Sequence, residues 1–182
     1  MMPVISNTTV ISNFAAVERL GLLKRRFARL HISDQVFEEI KAGLLQGYAF
    51  YANLDRQMFP FSETGWLHLT ALNTIDEFQT FGRLTTTLNS GESSCLSIAH
   101  HRKWAFLSDD KAARRAGSGL KVPISGTVGV LLSLVRANMI PLTEADMALE
   151  EMIQTGYYSP VASLREILSS SKRPRPSEMD EG

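Results

Sequence analysis

The chain of 182 residues has one cysteine, Cys95, so it can form no internal disulfide, and a disulfide-stapled scaffold is excluded. It has no apolar run near the roughly 20 residues that span a bilayer, which sets membrane roles aside. The opening residues MMPVISNTTV lack both a basic n-region and a long apolar h-region. These absences together make the cytoplasm the expected location. Net charge is missing as well: 19 Lys and Arg balance 19 Asp and Glu, so the overall field does not favour polyanions, and any nucleic-acid contact must come from local patches. There is no internal repeat. The four histidines, His31, His68, His100 and His101, share no metal-ligand spacing.

What is present is 44% hydrophobic residues, enough for one core and too few for two comfortable ones. The reading is one domain over residues 1–170 and a disordered polar tail, residues 171–182, where Pro, Ser and charge replace apolar residues. Residues 3–6 are β-prone, Asn7-Thr8-Thr9 is a turn, and a helical pattern runs through Ile11, Phe14, Ala15, Leu20, Leu22 and Leu23. Leu30-His31-Ile32 forms a second strand, followed by a helix that Ser33 or Asp34 caps and that carries Glu39. Residues 47–63 have no clean period and are left as helix or loop. Residues 66–69 read as a strand, 75–88 as a helix, and Glu92 opens a helix with Cys95, Leu96, Ile98 and Ala99 on its apolar side. Residues 104–107 form a buried parallel strand that ends at Ser108-Asp109-Asp110 and feeds the helix of residues 111–116. Residues 122–124 are a last strand before the apolar helix of residues 128–135, and helices are expected at about 144–154 and 160–169. Alternating strands and helices predict an α/β fold, a three-layer α/β/α domain with a mostly parallel central sheet.

In such a sheet the ligand crevice lies beyond the carboxyl ends of the strands. Asn7, Asp109-Asp110 and Thr127 stand at such ends, and Glu39 and Glu92 can point into the same crevice. Carboxylates gathered there repel one another unless a cation joins them, and Mg²⁺ or Mn²⁺ suits oxygen donors. Such a cation polarises a phosphodiester and acidifies an attacking water, so metal-assisted phosphodiester hydrolysis is the natural reaction class.

Four stretches, VISNTTVISNFAAVERLGLL, ISDQVFEEI, LNSGESSCLSIA and FLSDDKAARRAGSGLKVPISGTVGVLL, resemble the PIN domain nucleases, in particular the branch close to the VapC-type toxins of toxin–antitoxin modules. The likeness spans roughly residues 3–138. It implies a Rossmann-like fold, an RNA substrate, a small antitoxin partner and a homodimer. Carried over by position, its acids would be Glu39, Glu92 and Asp110 with Asp109 beside it, and Thr127 would complete the pocket. Asn7 stands where the family has its first aspartate; its amide oxygen can ligate a metal but brings no negative charge. The implied metal ligands are Glu39, Glu92, Asp110 and Asn7.

Each residue also has a plainer reading. Asp109 or Asp110 can cap the following helix, Glu92 can serve a helix dipole, and Glu38 is read as the exposed neighbour of Glu39, although sequence cannot prove which of the two points inward. Thr8, Thr9 and Ser12 can bind substrate phosphate or cap the first helix. Lys111 and Arg114 can neutralise RNA phosphates at the rim, while Lys24, Arg25, Arg26 and Arg29 suit a polar helix end. Cys95 suits core packing, and the aromatics from Tyr48 to Phe61 can stack on bases, cover a core edge or form a dimer face. The resulting expectation is a metal-dependent ribonuclease. The alternative is a catalytically weakened or inactive PIN-like module that binds RNA or protein, and Asn7 is its basis. An unrelated phosphotransfer domain would want an acid or nucleophile directly after the first strand, which Asn7-Thr8 does not supply.

Overall fold

The structure, a computed structural model, describes residues 2–170; the tail expected to be disordered lies outside the described residues. Strand β1 (Val4–Ser6) is buried along its whole length, as the centre of a covered parallel sheet requires. Helices α1 (Thr8–Ala16) and α2 (Leu20–Phe27) follow. The apolar pattern from Ile11 to Leu23 predicted one continuous helix; instead the chain breaks at Glu18, whose φ of 57° takes it out of the helical region. Arg19 closes the turn by donating its N–H to the Phe14 carbonyl at 2.8 Å. Both helices bury apolar residues, Val10, Ile11, Phe14 and Ala15 in α1 and Leu22 and Leu23 in α2, which is why the apolar pattern hid the break.

Strand β2 (Leu30–Ser33) leads into α3 (Asp34–Leu45), whose cap is Ser33, accepting the Val36 N–H at 3.2 Å. Residues 47–63, left open by the sequence, form two single turns of 3₁₀ helix and the two-residue strand β3 (Met58–Phe59). Tyr51, Leu54 and Met58 bury their side chains there and Phe50 packs partly against the core, while Tyr48, Phe59 and Phe61 stay exposed. Strand β4 (Leu67–Thr70) precedes α4 (Ile75–Leu84), which stops four residues short of the expected end. Thr85, Thr86 and Thr87 turn their hydroxyls back onto the carbonyls of Gly82, Arg83 and Leu84, the competition that makes threonine a poor helix interior.

Helix α5 (Ser90–Arg102), strand β5 (Ala105–Leu107), α6 (Lys111–Gly119), β6 (Ile124–Ser125), α7 (Thr127–Arg136), α8 (Leu142–Gln154) and α9 (Leu164–Ser170) complete the described chain. The described residues build a six-stranded sheet in the order β3-β4-β2-β1-β5-β6, with every pairing parallel. Helices cover both faces, so the fold is the three-layer α/β/α domain. Helix α5 lies across β1, β2 and β5, with α3, α4 and α6 packed against it. Residues 91–99 of α5 are all buried, and their short side chains allow that close approach. Its hydroxyls stay satisfied: Ser94 donates to Ser33 Oγ at 2.7 Å and Ser97 to the Glu77 carbonyl at 2.7 Å. Among the described residues no helix is long and apolar enough to cross a membrane.

Candidate acidic site at the carboxyl edge of the sheet

Strand order reverses at β1, which has β2 on one side and β5 on the other, and the loops leaving these strands diverge to open a crevice. Asn7 leaves β1 into it. Its Oδ1 accepts the Val10 N–H at 3.3 Å and the Thr9 hydroxyl at 2.8 Å, while Nδ2 donates to Ser108 Oγ at 2.9 Å. Asn7 is therefore the cap of α1 and the tie between the β1 and β5 loops. Both lone pairs of its oxygen are used within the protein and the residue is 2% exposed, so in this structure it holds the floor of the site.

Glu39 sits in the middle of α3 rather than at an element boundary, and it reaches the crevice because that face of α3 meets α1 and α5. Its Oε1 accepts the Gly91 N–H at 3.0 Å, and its Oε2 accepts the hydroxyl of Thr8. Glu38, read from the sequence as the exposed neighbour, points away and pairs with Lys41 at the surface. A Cβ at Gly91 would lie 2.6 Å from both Glu39 oxygens, so the carboxylate fits only against glycine. Asn89 caps α5 by accepting the Glu92 N–H at 2.8 Å, which sets Glu92 in the first turn.

The two adjacent aspartates have different tasks. Asp110 caps α6, with Oδ1 accepting the Ala113 N–H at 2.8 Å, and its Oδ2 accepts no hydrogen bond among the described residues. Asp109 turns the other way. Its Oδ1 accepts the Thr127 N–H at 2.9 Å and the Tyr157 hydroxyl at 3.1 Å; its Oδ2 accepts the Thr127 hydroxyl at 2.6 Å and Asn13 Nδ2 at 3.2 Å. With four donors on two oxygens, Asp109 anchors the start of α7. Burial and the Asp109 charge keep the Tyr157 phenol protonated far beyond its usual range.

Glu92 is 6% exposed. Burial, then the charge of Asp110, push its carboxyl up to about 7; the Asn89 backbone draws it partly back and Glu39 adds to the rise. The charges acting on it are thus the other acids, which places Glu39, Glu92 and Asp110 in one electrostatic group. Among the described residues no ion pair reaches Glu39, Glu92, Asp109 or Asp110, and no three His, Cys, Asp or Glu side chains form a ready-made metal cage. Carboxylate oxygens are nonetheless the donor chemistry a hard cation takes, and Mg²⁺ needs only one or two of them beside water and phosphate.

The expected substrate contacts divide. Thr127 is fully buried and its hydroxyl donates to Asp109, so in this structure it supports the start of α7. Thr8 orients Glu39 and does not cap α1, which is the work of Asn7. Ser12 donates to the Thr8 carbonyl at 2.7 Å and pairs with the Tyr51 hydroxyl, which makes it a brace between α1 and the 3₁₀ turn. Lys111 and Arg114 remain at the exposed rim, Arg114 resting on the Ser108 carbonyl at 2.9 Å. Arg25 and Arg26 bond the Met139 carbonyl and Ser133 Oγ, the plain polar helix end. Cys95 is fully buried and its thiol is pushed up to about 12 by that burial, as core packing requires. Sequence reasoning missed Asn13, Ser108 and Tyr157. Asn13 stands one helical turn after Thr9, a signal that α1 presents it to the same end; Tyr157 follows α8, with no local mark of its contact 48 residues back.

The fold and site define an α/β domain with an acidic crevice at the carboxyl edge of a parallel sheet. Residues 3–173 match the family model DUF3368, a PIN domain, and the chain belongs to that family, with the nuclease-like function that the domain suggests. No curated protein matches the chain.

Proposed function

We propose that the chain is a divalent-metal-dependent ribonuclease that hydrolyses RNA phosphodiesters. The observation that supports this is the grouping of Glu39, Glu92 and Asp110 with no basic side chain among them. These three acids are the residues that would hold Mg²⁺ or Mn²⁺, with Asn7 and Asp109 positioning the loops that carry them. When bound, the cation supplies charge neutralisation at the phosphate and a more acidic water.

The side chains supply the rest. Without the cation the Glu92 carboxyl is raised to about 7, so a cation brought to it would release a proton near neutral pH. Asp110 keeps Oδ2 available because the α6 cap uses only Oδ1. Glu39 is held at both oxygens, which fixes its charge beside Glu92. Lys111 and Arg114 at the rim favour the phosphate backbone. A toxin role in the cytoplasm, inhibition by a small antitoxin and a homodimer are carried by the resemblance to VapC-type proteins.

One observation favours a second reading. The neutral Asn7 has every polar atom committed within the protein, so the site has one charge fewer than the family pattern, and a weakened module that binds RNA or protein without cutting it follows. The test is cleavage of a mixed RNA pool with Mg²⁺ or Mn²⁺, beside Asp110→Asn and an EDTA control. Cleavage lost in both controls supports the ribonuclease; RNA binding without cleavage, with cutting restored by Asn7→Asp, supports the second reading.

A further inference from the structure

A cleft of about 630 Å³ runs from Asp109 along β6 to the segment after α8. Lys111 and Arg114 line it together with Tyr157, Tyr158 and the apolar Val128 and Leu132. Tyr158 is 88% exposed, an aromatic ring kept in water although an apolar body of that size gains free energy by being covered. Its neighbour Tyr157 turns inward to Asp109, so the backbone is anchored there and the Tyr158 ring projects from a fixed point.

Charge selects the occupant. Asp109, the acid in the cleft, is saturated by four donors, whereas Lys111 has no side-chain partner among the described residues and Arg114 spends one nitrogen on Ser108. The cleft thus offers cations to a phosphate backbone and an exposed ring to a base. A duplex keeps its bases stacked inside, so only an unpaired strand can use both features.

We propose that this cleft is a subsite for single-stranded RNA, in which Lys111 and Arg114 hold phosphates and Tyr158 stacks on the base of a nucleotide flanking the scissile position. This rests on the RNA-substrate reading above and adds the path of the strand past Lys111, Arg114 and Tyr158. Tyr158 acts on affinity and on the choice of flanking nucleotide, not on the cleavage step.

The test is fluorescence anisotropy with a labelled single-stranded RNA octamer and a duplex of the same sequence, in EDTA, and again in Mg²⁺ on the Glu92→Gln background. The unsubstituted cleft should prefer the single strand. Tyr158→Ala should weaken binding about tenfold and Tyr158→Trp should retain it. Lys111→Gln should flatten the slope of log affinity against log salt by about 0.7. Phe78→Ala, at an exposed aromatic on α4 away from the cleft, should change nothing. Equal affinity for the duplex, no RNA binding in either condition, or no effect of Tyr158→Ala overturns the subsite. The two readings fail separately: binding that depends on Tyr158 without cleavage in any metal defeats the nuclease alone, and cleavage with a KM indifferent to Tyr158→Ala defeats the subsite alone.

Discussion

Glu39 on α3 accepts the backbone N–H of Gly91 at 3.0 Å, a bond between residues 52 positions apart that joins α3 to the turn carrying Glu92. It makes the position of one acid depend on the absence of a side chain next to another.

Gly91→Ala should therefore separate stability from activity. The added Cβ meets the end of a flexible side chain, and alanine gains up to about 1 kcal/mol over glycine within a helix, so thermal stability should hold. The Glu39 carboxylate must swing away, and RNA cleavage should fall at least about tenfold, the effect of roughly 1.4 kcal/mol lost at the transition state. A parallel loss of Tm would show instead that the clash is not absorbed by Glu39.

Asp109 and Asp110 should behave differently despite their adjacency. Asp110→Asn keeps the α6 cap, since asparagine caps as well as aspartate, and should leave stability within about 0.5 kcal/mol while abolishing cleavage. Asp109→Asn turns an amide NH₂ toward at least one of four donors, and should cost about 2–3 kcal/mol in urea unfolding. Equal stabilities for the two variants would contradict the assigned roles.

Without metal, Glu92 should make the protein less stable as pH rises. Its folded carboxyl is raised to about 7 from an ordinary 4.5, so between these values the native state binds the proton that the unfolded chain releases. Stability should decline from about pH 4.5 to 7 and level off above, with Glu92→Gln removing that decline. Thermal melts in EDTA across this range check the sign.

Asn7→Asp should tighten Mn²⁺ binding and weaken the metal-free fold. The α1 cap survives, and Ser108 can donate to the new oxygen in place of accepting from Nδ2, but a further charge enters the group that already raises Glu92. Isothermal titration with Mn²⁺ and melts in EDTA should move in opposite directions.

The Glu77–Arg102 pair predicts a structural effect away from the site. Glu77 is 1% exposed and takes Arg102 Nε at 2.6 Å and Nη2 at 2.9 Å. Burial alone would raise its carboxyl, yet the hydrogen bonds from Arg102 and the Asn73 backbone outweigh it and hold it below its usual value. Its contribution is present above about pH 4.5 and is lost as pH falls through the lowered folded value. Glu77→Ala leaves the guanidinium half-buried and unpaired, and should cost about 3 kcal/mol at neutral pH with RNA affinity unchanged.

The sequence by itself determined the alternation of strands and helices, the parallel sheet and the order of Glu39, Glu92 and Asp110. Those features follow from local hydrophobic period, from candidate caps at Ser33 or Asp34 and at Asp109 or Asp110, and from polar turns after short apolar strands. It could not place the break at Glu18, because the apolar period continues across it, nor β3, whose two residues become a strand only by pairing with β4. Tertiary structure alone decided which acid of each neighbouring pair faces the crevice. Glu39 turns in and Glu38 out because α3 packs its face on α5; Asp109 turns to Thr127 and Tyr157, leaving Asp110 beside Glu92. It also decided that Asn7 supports the floor. These are choices among side chains alike in chemistry and adjacent in sequence, and only partners far along the chain distinguish them.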